Sequence, residues 1–316
     1  MPDDVRPAPA APVAAPPAAP VASDSAATWV RDPWPRRRRR LATALTYLAL
    51  LVVAAFVLLP LWSTLWMAFD SSIQAFPQEF RLWPKTPSLD GIVDAWNHPA
   101  QAATFPLLLK NSLFVAGTST VIAVLFGLSL AYAFARMRFP GRQAGAFAIL
   151  LGSFLPFVAL MVPLYLLLQS VGLRATQIGL AIVYAAIAMP LCVWLMRASF
   201  AAVPDELEQA AFLDGAGRLQ SFLHVTLPLA LPSILVAALV AFILGYAEFA
   251  IGWLFVEKGS DVTIAMAMSA FTVGQGSADW PKFAALVLLA IGPVVLVFVI
   301  LQRALLRGSL YGTTEL

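Results

Sequence analysis

The segment between the apolar stretches in the middle of the chain, residues 204–228, reads PDELEQAAFLDGAGRLQSFLHVTLP. Asp205 and Glu208 stand three residues apart, which is the spacing of a capping box, and their charges suit the positive end of a helix dipole. Gly215 and Gly217 then interrupt the helical pattern, where a helix can end or a backbone can be approached closely. An apolar stripe resumes after them. The segment therefore predicts two short helices joined at glycine and lying outside a membrane.

The chain as a whole is far too apolar for a soluble protein. Hydrophobic residues make up 60% of the sequence, charged residues only 12%, and the mean hydropathy is +0.82. Sustained apolar runs predict transmembrane helices, which need about 20 residues each. The predicted fold class is all-α integral membrane with six transmembrane helices, and a cytoplasmic loop over residues 201–228 joins the fourth to the fifth. The six spans lie at about 41–69, 111–135, 144–169, 177–200, 229–255 and 283–301.

The distribution of basic residues sets the orientation of the spans. Fourteen of the twenty Lys and Arg residues fall on segments that six spans place in the cytoplasm, in keeping with the positive-inside rule. The run Arg36–Arg40 directly precedes the first span. A basic run can bind nucleic acid, but beside a transmembrane segment it favours a cytoplasmic anchor to lipid headgroup phosphates. We therefore expect a multi-pass protein with both termini in the cytoplasm, membrane lipid as a partner and no nucleic acid.

The predicted organisation is a single membrane domain with two tails. Residues 1–35 are rich in Ala and Pro without any apolar periodicity, so we expect a disordered cytoplasmic tail. The six-span domain covers residues 36–312, and residues 313–316 form a C-terminal tail. Two prolines at 156 and 163 interrupt the third span and predict a kink in it. The only cysteine, Cys192, lies in an apolar run, where we expect it to pack as a small hydrophobic residue.

The sequence contains no arrangement typical of catalysis. A phosphate-binding loop needs glycine before its Lys-Ser or Lys-Thr pair, but the only such pair begins at Lys85 and follows Pro84. His98 and His224 fall on opposite sides of the membrane in this topology, which excludes a two-histidine metal site. Paired acids and activated nucleophiles are also missing from the sequence. We therefore expect a protein that is not an enzyme and that binds no metal.

The central loop carries a motif with fixed spacing. Gln209-Ala210-Ala211 is followed after three residues by Gly215, after nine more by Val225, and after one more by Leu227-Pro228. This pattern resembles the Glu-Ala-Ala loop in the permease subunits of binding-protein-dependent ABC importers. The family pattern is Glu-Ala-Ala, then Gly, then Ile, then Leu-Pro at the same separations. Gln209 replaces the family's Glu, and Val225 replaces its Ile.

This resemblance implies that the loop docks on a separate ATPase subunit. Gln209 removes a charge from that contact, and Glu208 beside it is the candidate to replace the charge. Two ATP-binding subunits would hold ATP and Mg²⁺, so no cofactor is expected in this chain. The other implied partners are a second, homologous permease and an extracytoplasmic solute-binding protein. The residues implied in coupling to the ATPase are Glu208, Gln209, Ala210, Ala211, Asp214, Gly215, Leu227 and Pro228.

Shorter matches extend the resemblance over residues 40–312. They are Asn111-Ser112-Leu113 at the start of the second span, residues 131–136 at its end and residues 194–197 before the loop. They are most similar to the sugar-importing permeases related to the smaller membrane subunit of the maltose system. The resemblance implies a permease of the bacterial or archaeal cytoplasmic membrane that forms, with the second permease, the translocation path for a sugar or oligosaccharide.

Glu248 is the one carboxylate placed well inside a predicted span, where a charge is energetically unfavourable and normally faces a cavity or a polar partner. The sequence Tyr246-Ala247-Glu248-Phe249 is similar to Trp-Asn-Glu-Phe in the family. One interpretation is that Tyr246, Glu248 and Phe249 line the translocation path, with aromatic rings stacking on sugar faces and the carboxylate accepting hydroxyl hydrogen bonds. The other is that Glu248 makes a structural hydrogen bond to a neighbouring helix or to the second permease.

Two other transport functions stay open on the sequence alone. An ion-coupled secondary transporter could also use Glu248 as its carboxylate, although it has no reason to carry the spaced loop motif. A permease of the same kind could import another solute, such as a polyamine or glycerol phosphate. Transport that survives collapse of the ion gradient, but not loss of ATP, would exclude the secondary transporter.

Overall fold

The computed structural model describes most of the hydrophobic part of the chain. The tails predicted over residues 1–35 and 313–316 lie outside the described residues, and so does Pro156. All packing reported below lies within residues 58–310, which belong to one compact unit; the preceding unit ends at Val57, within the first helix. The described ranges are 36–73, 81–100, 103–154, 157–273 and 279–310.

The regular secondary structure of the described residues is helical; they contain no β-strand, only two isolated bridges, which confirms the all-α class. A π-helical turn, Phe222–Thr226, and a 3₁₀ turn, Gly259–Asp261, accompany the α-helices. The α-helices are α1 (Arg36–Ala68), α2 (Asp90–Asn97), α3 (Phe105–Arg136), α4 (Arg142–Gly152), α5 (Phe157–Ser170), α6 (Gln177–Ala202), α7 (Asp205–Leu213), α8 (Arg218–Ser221), α9 (Leu227–Ala247), α10 (Gly252–Phe255), α11 (Ile264–Val273) and α12 (Trp280–Leu310).

Five helical segments are long and apolar enough to cross a membrane. They have 23 to 32 residues, which exceeds or matches the roughly 20 needed to span the hydrocarbon core. They correspond to the predicted first, second, fourth, fifth and sixth spans. The segments are Arg40–Ala68, Phe105–Arg136, Gln177–Ala202, Arg218–Ala247 and Trp280–Gln302.

The predicted third span is not one helix. In its place the chain forms α4 with 11 residues and α5 with 14, each too short to cross a membrane alone. Helix α4 ends at Gly152 and α5 begins at Phe157, so the interruption coincides with the sequence position of a proline, a residue that has no amide hydrogen to donate. By contrast, Pro163 lies inside α5 without ending it. The third span is thus interrupted, as its prolines predict, but as two separate helices and not as one kinked helix.

The predicted fifth span also ends earlier than expected, at Ala247 instead of residue 255. Glu248 then takes an extended conformation, and its carboxylate accepts hydrogen bonds from the backbone amides of Ile251 at 2.9 Å and Gly252 at 3.3 Å. These amides lie at the start of α10, where the first N–H groups have no partner within the helix. A carboxylate that satisfies them stabilises a new helix start, so the apolar run continues as a separate short helix.

Helices α3, α6 and α9 pack on one another through small residues. Ala123, Ala185 and Ala237 are fully buried between them, and Cys192 is buried beside Ala237 as predicted. Gly245 on α9 lies close to α3, because a β-carbon at this position would lie 2.7 Å from the Ser119 hydroxyl oxygen of α3. Small residues at such contacts let membrane helices approach closely, where dispersion forces and hydrogen bonds hold them.

A buried carboxylate organises the loop that follows α1. Asp70 has no accessible surface, and its two oxygens accept hydrogen bonds from the backbone amides of Ser72, Lys85 and Thr86 at 2.8 to 3.2 Å. The hydroxyls of Ser72 and Thr86 add bonds of 2.7 and 3.1 Å. Burial alone raises the pKa of this carboxyl, but these hydrogen bonds to its charged form lower the pKa more, so the net pKa is well below its usual range.

Replacing Asp70 with Asn is expected to destabilise this loop by about 1–3 kcal/mol, because a charged acceptor is removed from buried donors. The pKa of Asp70 is lower in the folded protein than in the unfolded chain, where it is about 4. The stabilisation by the Asp70 carboxylate is therefore fully present above about pH 4 and is lost as the pH falls below that value. Hydrogen exchange of residues 81–88 at pH 7 and at pH 3 checks both points. Asp94→Asn, at an exposed acid on α2, is the matched control. Equal exchange in the two variants would contradict the prediction.

Candidate functional site

The loop over residues 204–228 is built around a glycine junction, as predicted. Helix α7 ends in a Schellman motif: Gly215 has a φ of +86°, its amide bonds the carbonyl of Phe212 at 3.1 Å, and the amide of Ala216 bonds the carbonyl of Ala211 at 2.9 Å. A positive φ strains any residue with a β-carbon, so this position favours glycine. The second helix, however, is not separate, since α8 continues through the π-helical turn into α9.

The capping box predicted for Asp205 and Glu208 is absent. Pro204 is the N-cap residue of α7 and makes no side-chain capping bond. Both acidic side chains turn instead to Arg136 at the C-terminal end of α3, with which each forms an ion pair. The arginine therefore competes successfully with the free amides of the helix for the two carboxylates.

Arg136, Asp205, Glu208 and Thr226 form a polar cluster, here called the Arg136 cluster. The guanidinium contacts the Asp205 carboxylate and the carbonyl of Val203, and its Nε lies 3.4 Å from Glu208 Oε1. That same oxygen accepts a hydrogen bond of 2.6 Å from the hydroxyl of Thr226. The side chains of Arg136 and Glu208 are only 10% and 12% exposed. The cluster thus ties the end of α3, the helix α7 and the turn before α9 to one another.

The opposite face of α7 is open. Leu213 is 90% exposed, and Gln209 and Ala210, one helical turn before it, are exposed beside it. We call these three residues the open face of α7. Leu219 on α8 is also largely exposed. Together with the partly exposed Leu207 and Phe212, these side chains leave an apolar surface uncovered on this loop.

The residues predicted to couple the loop to the ATPase differ in their exposure. Glu208 does not supply a charge to the open face, contrary to expectation, because its carboxylate is bound by Arg136 and Thr226. Ala211 and Leu227 are half-buried. The exposed members of the set are Gln209, Ala210, Asp214, Gly215 and Pro228.

The three residues predicted for a translocation path are only partly brought together. Tyr246 and Phe249 line one groove of about 480 Å³ between α9, α11 and α12, whereas Glu248 is not among its lining residues. The ring of Tyr246 is stacked on Phe242, and its hydroxyl donates a 3.1 Å hydrogen bond to the carbonyl of Ala290. The carboxylate of Glu248 binds the start of α10. The groove is therefore mainly apolar, and the predicted polar lining by Glu248 is not observed.

A second polar cluster lies at the other end of α3 and had no assigned role in the sequence. The side-chain amide of Asn111 donates hydrogen bonds to the carbonyls of Ser260 at 2.7 Å and Val262 at 2.9 Å, while Gln177 donates to the Asn111 oxygen at 2.9 Å. The hydroxyl of Ser112 accepts a bond from the Ile264 amide at 2.8 Å. The sequence signal for this cluster is the pair of polar residues at the start of an apolar helix. In the structure these two residues anchor the segment before α11.

Comparison with known proteins agrees with this architecture. Residues 123–309 match the family described as binding-protein-dependent transport system inner membrane component. The chain is 31% identical over 276 residues to the trehalose transport system permease protein SugB of Mycobacterium tuberculosis (strain CDC 1551 / Oshkosh), covering 85% of this chain and 97% of that protein. It is 34% identical over 215 residues to the maltose/maltodextrin transport system permease protein MalG of Escherichia coli (strain K12), covering 66% and 72%.

A solved structure shares the fold. It is a bacterial ABC transporter involved in the import of the acidic polysaccharide alginate, and one of its chains matches with a TM-score of 0.70 and 20% identity over 86% of this chain and 99% of that chain. The family is one of membrane transport components and not of enzymes. Since the family match covers more than half of the chain, and SugB matches at 31% identity over almost its whole length, this chain belongs to the family of inner-membrane components of binding-protein-dependent transport systems.

Proposed function

We propose that this chain is one of the two permease subunits of an ATP-driven importer for a sugar or oligosaccharide. The observation that carries the proposal is the architecture of α7, which is fixed to α3 and α9 by the Arg136 cluster on one side and exposes Leu213 on the other. A helix held in this way can transmit the movement of another subunit to the long membrane helices. The solute class is supported by the names of relatives, which transport trehalose and maltose or maltodextrin.

In this proposal the open face of α7 docks on a separate ATP-binding subunit in the cytoplasm. Two such subunits bind ATP and Mg²⁺, and their closure moves α7. The contact depends on close packing at Ala210 and Leu213, because Gln209 carries no charge and Glu208 is turned inward. An apolar helix face that fits a groove on its partner is a common mode of recognition. Gly215 fixes the end of that helix.

The proposed topology has six membrane crossings and both termini in the cytoplasm of a bacterial or archaeal cell. Helices α4 and α5 together make the third crossing, joined through the break before residue 157. The Arg136 cluster then lies at the cytoplasmic ends of the helices, and the second polar cluster, around Asn111, lies at the external ends. An external solute-binding protein delivers the sugar to that side, and a second permease completes the translocation path.

We propose that Phe249 contributes to the path directly and that Glu248 acts as a positioning residue. Phe249 is exposed at the groove shared with Tyr246, where an aromatic ring can stack on the apolar face of a sugar. Glu248 accepts two backbone hydrogen bonds that hold the turn between α9 and α10. It thereby sets the position of the neighbouring aromatic ring.

The two roles of Glu248 predict different kinetics. Glu248→Gln keeps one carbonyl oxygen to accept a backbone hydrogen bond, so we expect a change of less than about threefold in the KM for uptake, whereas Glu248→Ala loses about 1 kcal/mol of helix capping and lowers thermal stability. Uptake kinetics and thermal unfolding of the two variants are the measurements. A large rise in KM for Glu248→Gln at unchanged stability would show direct contact with the solute instead.

The function is tested by uptake into proteoliposomes that contain the complete importer, with ATP inside and the solute-binding protein outside. Trehalose, maltose, a polyamine and glycerol phosphate are the solutes compared. We expect uptake of a sugar that requires ATP and survives an ionophore. Uptake abolished by the ionophore would indicate a secondary transporter, and uptake of only the polyamine or glycerol phosphate would contradict the sugar assignment.

Gly215→Val tests the role of the loop within the same assay. A β-branched residue cannot adopt a φ of +86° without strain of about 1–2 kcal/mol, so the end of α7 should shift and ATP-driven uptake should fall roughly tenfold. Gly217→Val is the matched control, because Gly217 has a φ of −75° and a β-carbon there meets nothing closer than 3.9 Å. Full uptake by an assembled Gly215→Val importer would contradict the coupling role.

A further inference from the structure

A cleft of about 670 Å³ opens beside the Arg136 cluster, between the C-terminal part of α3 and the helices α7 and α8. Its rim carries the arginines at 138 and 218. Its walls are formed by Leu128 and Tyr132 on α3, Phe212 on α7 and Phe222 in the π-helical turn. The transport function proposed above leaves this cleft without a role.

The rim of the cleft carries uncompensated positive charge. Glu208, the one acid among the residues that line the cleft, is engaged by Arg136, and so is Asp205 beside it. Within the part of the chain that the structure describes, Arg138 and Arg218 form no ion pair, and both are exposed. An anionic group at the rim would therefore meet two arginine side chains whose charges the protein itself does not neutralise.

The other end of the cleft lies along the apolar part of α3. Leu128 lines it eight residues before Arg136 on this helix, which is roughly 12 Å along the helix axis. Helix α3 is one of the five segments able to cross a membrane. A ligand that fills the cleft must thus be charged at the rim and apolar at depth. A soluble phosphate or nucleotide would leave the Leu128 end unfilled.

We propose that the cleft binds an anionic phospholipid, with its phosphate between Arg138 and Arg218 and the start of one acyl chain along Leu128 and Tyr132. Basic pockets between membrane helices are suited to such headgroups. The lipid lies between α3 and the α7–α8 loop, so it supports the position of the loop from the side opposite its open face. The inference depends on the membrane location of the family and not on the transported solute, so failure of the uptake assay would leave it standing.

The proposal is tested by native mass spectrometry of the purified importer complex after exchange into defined mixtures of phosphatidylglycerol and phosphatidylcholine. We expect preferential retention of phosphatidylglycerol by the wild type. Each arginine near an anionic lipid contributes roughly fivefold in affinity, so the double variant Arg138→Gln/Arg218→Gln should bind about 30-fold more weakly. Arg142→Gln, in the same turn but outside the cleft lining, should bind as the wild type does.

A second variant tests the apolar end without touching the charges. Ser129 lines the cleft next to Leu128, so Ser129→Trp fills the space meant for the acyl chain and should remove the bound lipid while Arg138 and Arg218 remain. Three results would overturn the proposal: equal retention of both lipids, displacement of the lipid by excess inorganic phosphate, and a double variant that keeps its lipid but loses the second membrane subunit. The last two would identify a soluble anion and a protein partner, respectively, as the occupant.

Discussion

Replacing Arg136 with Met should lower the free energy of unfolding by about 3–5 kcal/mol, because it leaves the Glu208 carboxylate buried without its positive partner. The carbonyl of Val203 also loses its hydrogen-bond donor. ATP-driven uptake should be lost together with this stability, since α7 would no longer be held to the end of α3. Denaturant unfolding of the purified protein and uptake by the reconstituted importer are the measurements.

The control for this variant is Arg142→Met, six residues further along and outside the cluster. Its guanidinium makes only a long hydrogen bond to the carbonyl of Met137, so a change below about 0.5 kcal/mol is expected. The double variant Arg136→Met/Glu208→Leu separates stability from coupling. Replacing both charges with apolar side chains should restore most of the stability, whereas uptake should stay low because the link between α3 and α7 is gone. Equal unfolding of Arg136→Met and the control would show that the cluster is dispensable.

Gly245→Leu is expected to disrupt the packing of α9 on α3. The new β-carbon alone would lie 2.7 Å from the Ser119 hydroxyl oxygen, which is buried and donates a 2.9 Å hydrogen bond to the Ala116 carbonyl, so this oxygen cannot move aside without losing that bond. The α-carbon of Ala116 is already at contact distance, 3.4 Å away, which leaves no room for the rest of the leucine side chain. Overpacking of this kind is unfavourable by typically 1–3 kcal/mol and here forces the two helices apart. Thermal unfolding should shift downwards, and the groove at Tyr246 should lose its shape.

Gly117→Leu makes the same chemical change on the neighbouring helix, where a β-carbon at position 117 meets nothing within 4 Å. Because leucine favours helix more than glycine does, this control should be neutral or stabilised by up to about 1 kcal/mol. The comparison therefore isolates the close approach of the helices from the general effect of removing a glycine. Similar stability of the two variants would mean that α3 and α9 are not in close contact at Gly245.

The sequence predicted those features of the fold that depend on local chemistry. Long apolar runs identify five helices because a span needs enough residues to cross the membrane. The junction at Gly215 follows from the ease with which glycine adopts a positive φ. The prolines of the third span predict an interruption, but whether a proline kinks a helix or ends it depends on the surrounding structure, and α5 continues through Pro163.

The sequence could not predict the direction in which charged side chains point. Glu208 looked like an outward partner for another subunit, but Arg136, which is distant in the sequence, turns it inward. Glu248 looked like a carboxylate inside a span because its neighbours are apolar, yet it ends one helix and starts the next. In both positions a long-range or backbone partner decides the role, and single-sequence patterns carry no information about such partners.

Thiol cross-linking can show whether the open face of α7 contacts an ATP-binding subunit. Leu213→Cys places a reactive thiol on the 90% exposed position, while the only native thiol, at Cys192, is buried. Ser260→Cys is the control, at an exposed position of the 3₁₀ turn whose carbonyl bonds Asn111 near the start of α3. We predict that, in the assembled importer, Leu213→Cys cross-links to the ATP-binding subunit and that Ser260→Cys does not. Cross-linking at Ser260→Cys, or the absence of any product at Leu213→Cys, would contradict the proposed function of the loop.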